Sequence, residues 1–235
     1  MAALSIAFCL LALQANNCHA REPAWFLVQK QKGLGEERIY VAKSGRRGEE
    51  VQFGSVVVTR SQDPNYYFFN PSKRIYYVGD KSKNVSNENV RIAILMGLTS
   101  HSSQNMNWSL MAFHKDGNSS ILKIPVSKFV GIDAHKKTWE IWTSNALGIT
   151  EDQCARMCEF RGLPIVGGLP LRIISSSKTG GKEIILDTTD AHKTTVTAED
   201  FKCPKDYKRV SNLYEVMCAQ STFLNDALET LDTRK

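Results

Sequence analysis

The sequence is short of the residue groupings that catalysis needs. Histidine occurs five times in 235 residues. After an N-terminal leader is set aside, His101, His114, His135 and His192 remain, far from one another and from acidic residues at metal-ligand spacing. There is no GxSxG elbow, no HExxH helix and no phosphate-binding Walker loop. Gly33-Leu34-Gly35 has no third glycine in a strand–loop–helix unit and reads as a turn before Glu36-Glu37-Arg38-Ile39-Tyr40. The expectation is a protein without a cofactor or metal, and not an enzyme. Internal repeats and low-complexity linkers are also missing, so the chain reads as one domain with a real core.

Long apolar runs are scarce too. Met1 to Ala20 carries no charged side chain and has an apolar run from Ala3 to Leu13. Cys18-His19-Ala20 then puts small residues where a signal peptidase reads, so residues 1–20 are expected to be a cleaved secretory signal. No second run approaches the roughly 20 residues that span a bilayer. Three acceptor triplets support export and N-glycosylation, at Asn84, Asn107 and Asn118, whereas Asn70-Pro71-Ser72 is excluded by its proline. The localisation expected is secreted and extracellular.

Two of the six cysteines leave with the signal, and Cys154, Cys158, Cys203 and Cys218 remain. An even set in an oxidising compartment suggests disulfides. Thr150 as N-cap, Gln153 three residues on and Gly162 as a stop predict a helix over about 150–161. On a helix, β-carbons four apart are about 5–6 Å from each other, more than a disulfide accepts. Cys154 and Cys158 should therefore bond outward to Cys203 and Cys218, in one of two pairings. A zinc site would need paired CxxC knuckles or nearby histidines, which are missing.

Residues 21–210 otherwise alternate as strands do. Val51, Phe53 and Val57 alternate with Gln52 and Gly54, and Ile75-Tyr76-Tyr77-Val78 follows the turn at Asn70-Pro71-Ser72. Arg91 to Met96 and Trp108 to His114 continue the series, and Lys115-Asp116-Gly117-Asn118 reads as a hairpin corner toward Ile121 to Ile124. Period two with such punctuation argues an all-antiparallel sheet. Residues 211–235 differ, because Leu213, Val216, Met217, Leu224, Ala227, Leu228 and Leu231 recur at helical spacing behind Ser211 as N-cap. This tail reads as an amphipathic helix packed on the sheet, or as a gate or dimer seam.

The stretch from Trp139 to Arg209 is the most organised. A strand, Thr138 to Thr143, stops at Leu147-Gly148, and the helix follows. Gly168-Leu169-Pro170-Leu171-Arg172-Ile173-Ile174 starts a second strand, and Thr179-Gly180-Gly181 turns it into Glu183 to Asp187. A further strand, Thr194 to Thr197, leads to Phe201, Pro204 and Tyr207. This order resembles the C-terminal half of the bacterial lipoprotein-localisation carriers, the LolA/LolB-like fold, and their small secreted relatives. The resemblance implies mainly β structure with a few helices: a single strongly curved sheet, an incomplete barrel, with helices at its mouth and a cavity for acyl chains. Three glycan acceptors behind a signal depart from the bacterial carriers and put their periplasmic role in doubt.

The net charge of +6 lies wholly beyond the signal, in clusters at residues 43–47, 81–83, 136–137 and 202–209. These read as solvated strand ends balanced by Glu36, Glu37, Glu49 and Glu50. The sharper reading is a surface for acidic glycans or anionic lipid, with nucleic acid excluded in a secreted protein. Two functions follow. One is a secreted glycoprotein holding a lipid or other hydrophobic small molecule against strand aromatics, for which Phe53, Tyr77, Trp108, Trp139 and Trp142 are the candidates. The other is a solidly packed matrix or interaction glycoprotein.

Overall fold

The structure, a computed structural model, describes residues 20–52, 54–63, 65–80 and 108–217. The signal, Phe53, the strand expected at Arg91 to Met96, Asn84, Asn107 and everything from Cys218 onward lie outside the described residues.

Six strands form an N-terminal meander: β1 (Arg21–Gln31), β2 (Gly35–Ala42), β3 (Gly45–Glu50), β4 (Ser55–Arg60), β5 (Asn65–Asn70) and β6 (Ile75–Asp80). After a 3-10 turn at Trp108–Leu110 come β7 (Phe113–Ile121), β8 (Ile124–Ile132) and β9 (Thr138–Ser144). Helix α1 (Glu151–Arg161) precedes β10 (Leu169–Ser176) and β11 (Lys182–Thr197), and β12 (Lys208–Arg209) and helix α2 (Leu213–Met217) follow. The strands make one curved, open sheet in the order β12-β6-β5-β4-β3-β2-β1-β11-β10-β9-β8-β7.

Several elements have sharp local causes. Helix α1 begins with a complete capping box: Gln153 N donates to Thr150 Oγ1 (3.2 Å), and Thr150 N donates to Gln153 Oε1 (3.0 Å). It ends at Gly162, whose φ of 62° is the left-handed cap glycine favours. The turn at Asn70 is held by Asn70 Oδ1, which accepts from Ser72 N and Lys73 N.

Elsewhere tertiary pairing overrides the local pattern. Val51 and Gln52 are turn, not strand, and Val51 is exposed. Lys115 to Asn118 lie within β7 at an irregularity in its pairing with β8, and the hairpin turns instead at Leu122 and Lys123. Both of those residues have positive φ, 49° and 67°, as a two-residue hairpin requires, and buried Ile121 and Ile124 anchor the two sides. The strands expected at Glu183 to Asp187 and Thr194 to Thr197 are one 16-residue strand. It pairs with β1 along most of its length, and its register shifts absorb the bend. The closing segment after Phe201 crosses to the far edge, where β12 runs parallel to β6, so the sheet is not wholly antiparallel.

Register divides the side chains between two faces. Leu27, Ile39, Val57, Phe68, Trp139, Ile141, Ile173 and Leu186 share one face, and all are buried. Helix α1 adds Cys154, Met157 and Cys158 to the cluster over β1, β2 and β8 to β11. Helix α2 places Leu213 and Val216 on Val57, Tyr66 and Phe68. On the other face, Phe201 closes a smaller cluster with Val56, Val58, Phe69 and Val196. Burial runs across nearly the whole helix-bearing face, as expected where a sheet curls round its own side chains.

Candidate ligand site on the helix-bearing face

The centre of this face, between the two helix-covered regions, is charged. On β1 the inward positions after Leu27 are Gln29 and Gln31, and on β2 Glu37 precedes Ile39 and Val41 on the same side. On β3, Arg46, Gly48 and Glu50 point the same way. Helix α1 contributes Arg161 from its last turn. Arg46 and Arg161 are 2% and 6% exposed, so their carboxylate partners see little solvent screening.

Glu37 bridges the two cations. Its Oε1 pairs with Arg46 Nη2, and its Oε2 lies 3.4 Å from Arg161 Nε. Arg161 Nε also donates to Gln31 Oε1 (3.0 Å), and Arg161 Nη1 donates to Gln29 Oε1. Gln31 Nε2 returns a bond to Arg161 O (3.0 Å), and Gln29 Nε2 donates to Pro170 O and Thr188 Oγ1, each at 3.0 Å. Arg46 Nε is buried without a hydrogen-bond partner among the described residues.

Glu50 sits directly opposite Glu37 in the ladder and accepts from Ser55 Oγ (2.7 Å). Burial, then the neighbouring Glu37 carboxylate, pushes its carboxyl up to about 7, against the pull of Ser55, Arg46 and Arg161. Gly48 makes room for this arrangement. A β-carbon there would lie 2.0 Å from Glu37 Oε1 and 2.6 Å from Arg46 Nη2. Gly48→Ala is therefore expected to destabilise the protein by about 1–3 kcal/mol, the usual range for overpacking. A denaturant midpoint unchanged from wild type would show that the ion pair shifts aside freely.

Of the aromatics expected to line the site, Trp108, Trp139 and Trp142 lie in or against the α1 cluster, Tyr77 lies elsewhere, and Phe53 is outside the described residues. Tyr77 packs against the cluster under α2. Trp139 is fully buried in the α1 cluster, with Nε1 donating to Asp133 Oδ2 (3.0 Å) and Trp108 edge-on at 5.0 Å. Trp108 Nε1 donates to Gly162 O (2.8 Å), tying the 3-10 turn to the end of α1. Trp142, paired with Lys128 on β8, leaves on the face of Glu140, and Lys128 Nζ stands 5.6 Å over its ring.

Among the described residues Cys154, Cys158 and Cys203 are free thiols, and Cys218, the fourth of the expected set, lies outside the described residues; Cys154 and Cys158 interact one helical turn apart. That interaction and burial push the Cys158 thiol well up, while burial raises Cys203 to about 11. A link from α1 to Cys203 is not made because the sheet lies between them: the helix thiols face the inner cluster, and Cys203 follows Phe201 on the opposite face.

The basic clusters are in part the balanced strand ends expected, as in Arg47–Glu49 (2.9 Å) and Lys202–Glu199 (2.6 Å). Arg46 is the exception, a core residue rather than a surface charge. For its neighbours Gln29, Gln31 and Glu37 the signal was present as parity, since they share the alternation of Leu27, Ile39 and Val41; β3, Gly45–Glu50, has no apolar residue to set one for Arg46. At the opposite end of the sheet, Glu22, Lys43, Arg60, Asp63 and Thr150 line an open polar groove of about 820 Å³. Among the described residues no group of three or more His, Cys, Asp or Glu is placed to hold a metal ion.

No protein-family model matches the chain, and no curated protein matches it. Among solved structures it is similar to an uncharacterised conserved protein of Thermus thermophilus, at 13% identity over 88% of this chain and 99% of that one, with a TM-score of 0.44. It is also similar to MucB in the Pseudomonas aeruginosa MucA/MucB complex, at 10% identity over 86% of this chain and 62% of that one, TM-score 0.35. A LolA-superfamily protein of Nitrosomonas europaea follows at 12% identity over 79% and 90%, TM-score 0.24. The architecture itself is the mainly β, single curved open sheet with few helices expected from the sequence.

Proposed function

We propose that this is a secreted, non-enzymatic binding glycoprotein that holds one lipid or other hydrophobic molecule against the helix-bearing face of its sheet. The observation that supports it is how that face is covered. Two short helices, of 11 and 5 described residues, pack on separate parts of a 12-stranded sheet, where a sandwich would lay a second sheet. Half-buried apolar side chains, among them Trp25, Trp108, Phe113, Ile75 and Tyr77, border the two helix-covered clusters and offer contact to an acyl chain. Each buried methylene contributes about 0.8 kcal/mol, so a chain of a dozen carbons offsets its ordering cost.

The test is native mass spectrometry of protein secreted by eukaryotic cells, after enzymatic removal of glycans. The expected result is a mass excess of one hydrophobic molecule, released by organic solvent. A clean apo mass, with no uptake of added fatty probe, would favour the solidly packed interaction glycoprotein instead. Peptide mapping of the secreted protein before that glycan removal should find a glycan at Asn118, which is exposed on the edge strand β7.

A further inference from the structure

We propose that the ligand's head is a carboxylate, making the ligand class a free fatty acid, and that Arg46 and Glu50 receive it between α1 and α2. The inference rests on the reading of this face as a hydrophobic-ligand site and adds the chemistry of the head. Its first support is the orphaned donor. Arg46 is 2% exposed, its Nη2 is committed to Glu37, and its Nε–H has no acceptor among the described residues. Native interiors satisfy such donors, so the position asks for an acceptor.

Charge identifies that acceptor. Arg46 and Arg161 are balanced by Glu37 and Glu50 when both carboxyls are ionised. The groups facing Glu50 are Glu37 on β2, Arg46 on β3, Ser55 on β4 and Arg161 on α1. Burial, together with direct opposition to Glu37, favours the protonated form of Glu50 below about pH 7. With that proton in place the cluster carries one net positive charge. It then presents a second donor, the Glu50 O–H, on the same face of β3 as the unmet Arg46 Nε–H. A monoanion with two acceptor oxygens answers both donors and the charge. The guanidinium of Arg46 lies over Gly48, and the apolar side chains of Leu27, Ile39 and Val41 on one side and Val57 and Phe68 on the other bracket the cluster.

Ligand and proton are therefore linked. An ionised head binds best while Glu50 keeps its proton, and its affinity falls as pH rises through the Glu50 titration, by up to about tenfold per pH unit. The experiment is calorimetric titration of the delipidated full-length secreted protein with laurate and with 1-dodecanol between pH 6.5 and 9; laurate is ionised throughout this range. At pH 6.5 laurate should bind at least about tenfold more tightly than dodecanol, and only laurate should weaken as pH rises. Glu50→Gln, which keeps a neutral donor, should flatten the laurate profile. Arg46→Lys, checked by circular dichroism for retained fold, should abolish the preference for the acid over the alcohol. Equal, pH-independent binding of both probes would overturn the carboxylate assignment and leave the hydrophobic-ligand reading standing. Binding of neither would overturn both.

Discussion

Replacing Arg161 with methionine is expected to lower stability by about 3–5 kcal/mol, the range for removing one partner of a buried ion pair. The size follows from what the guanidinium satisfies. It lies near Glu37 Oε2 and donates to Gln29 and Gln31, and with the Gln31 bond to the Arg161 carbonyl it fastens the last turn of α1 to β1 and β2. Methionine fills similar volume, so the loss isolates the unmet Gln29 and Gln31 acceptors and a Glu37 carboxylate left with Arg46 alone, rather than a cavity. Urea unfolding monitored by tryptophan fluorescence reads the effect. A drop of under about 1 kcal/mol would mean that water reaches these groups and that the network is not a dry interior site.

The pH dependence of stability carries a second large effect, centred on Glu50. Its folded carboxyl holds a proton more tightly than the unfolded chain does, titrating near 7 against 4.5. The contribution is therefore fully present below about pH 4.5 and is lost as pH rises to 7, the opposite of a salt-bridged carboxylate. The difference corresponds to on the order of 3 kcal/mol. Glu50→Gln should match wild type in stability near pH 4 and exceed it by roughly that amount at pH 8. Subtracting the two profiles removes the opposite slope from Asp63, Asp133 and Glu183, whose carboxyls are held below their usual range. A flat difference between pH 4.5 and 7 would place Glu50 in solvent.

These two residues also show where reading from sequence stops. Helix α1 was legible because its signals are local: a capping box at Thr150 and Gln153 and a glycine stop at 162. The hairpin turn between β10 and β11, with Gly180 at φ 87°, was legible for the same reason. The strand expected to include Val51 failed there because apolar alternation continued into a turn, and the corner expected at Asp116-Gly117 was absorbed into β7. In both places the pairing of neighbouring strands outweighed a local preference. Glu37, Arg46, Glu50 and Arg161 are ordinary charges when met singly along the chain, and Glu37 and Glu50 are naturally read as surface balance for nearby lysines and arginines.

What the chain alone declared was its class: a β protein with one capped helix, few catalytic groupings and alternation strict enough to set strand parity. Those properties depend on residues within a turn or two of each other. The tertiary structure decided which side of each strand faces inward and that β11 is one strand running beside β1. It also decided that two glutamates meet across a ladder beneath an arginine from a helix more than a hundred residues away. Such meetings depend on register between distant segments, and a shift of one residue would turn every one of these charges to solvent.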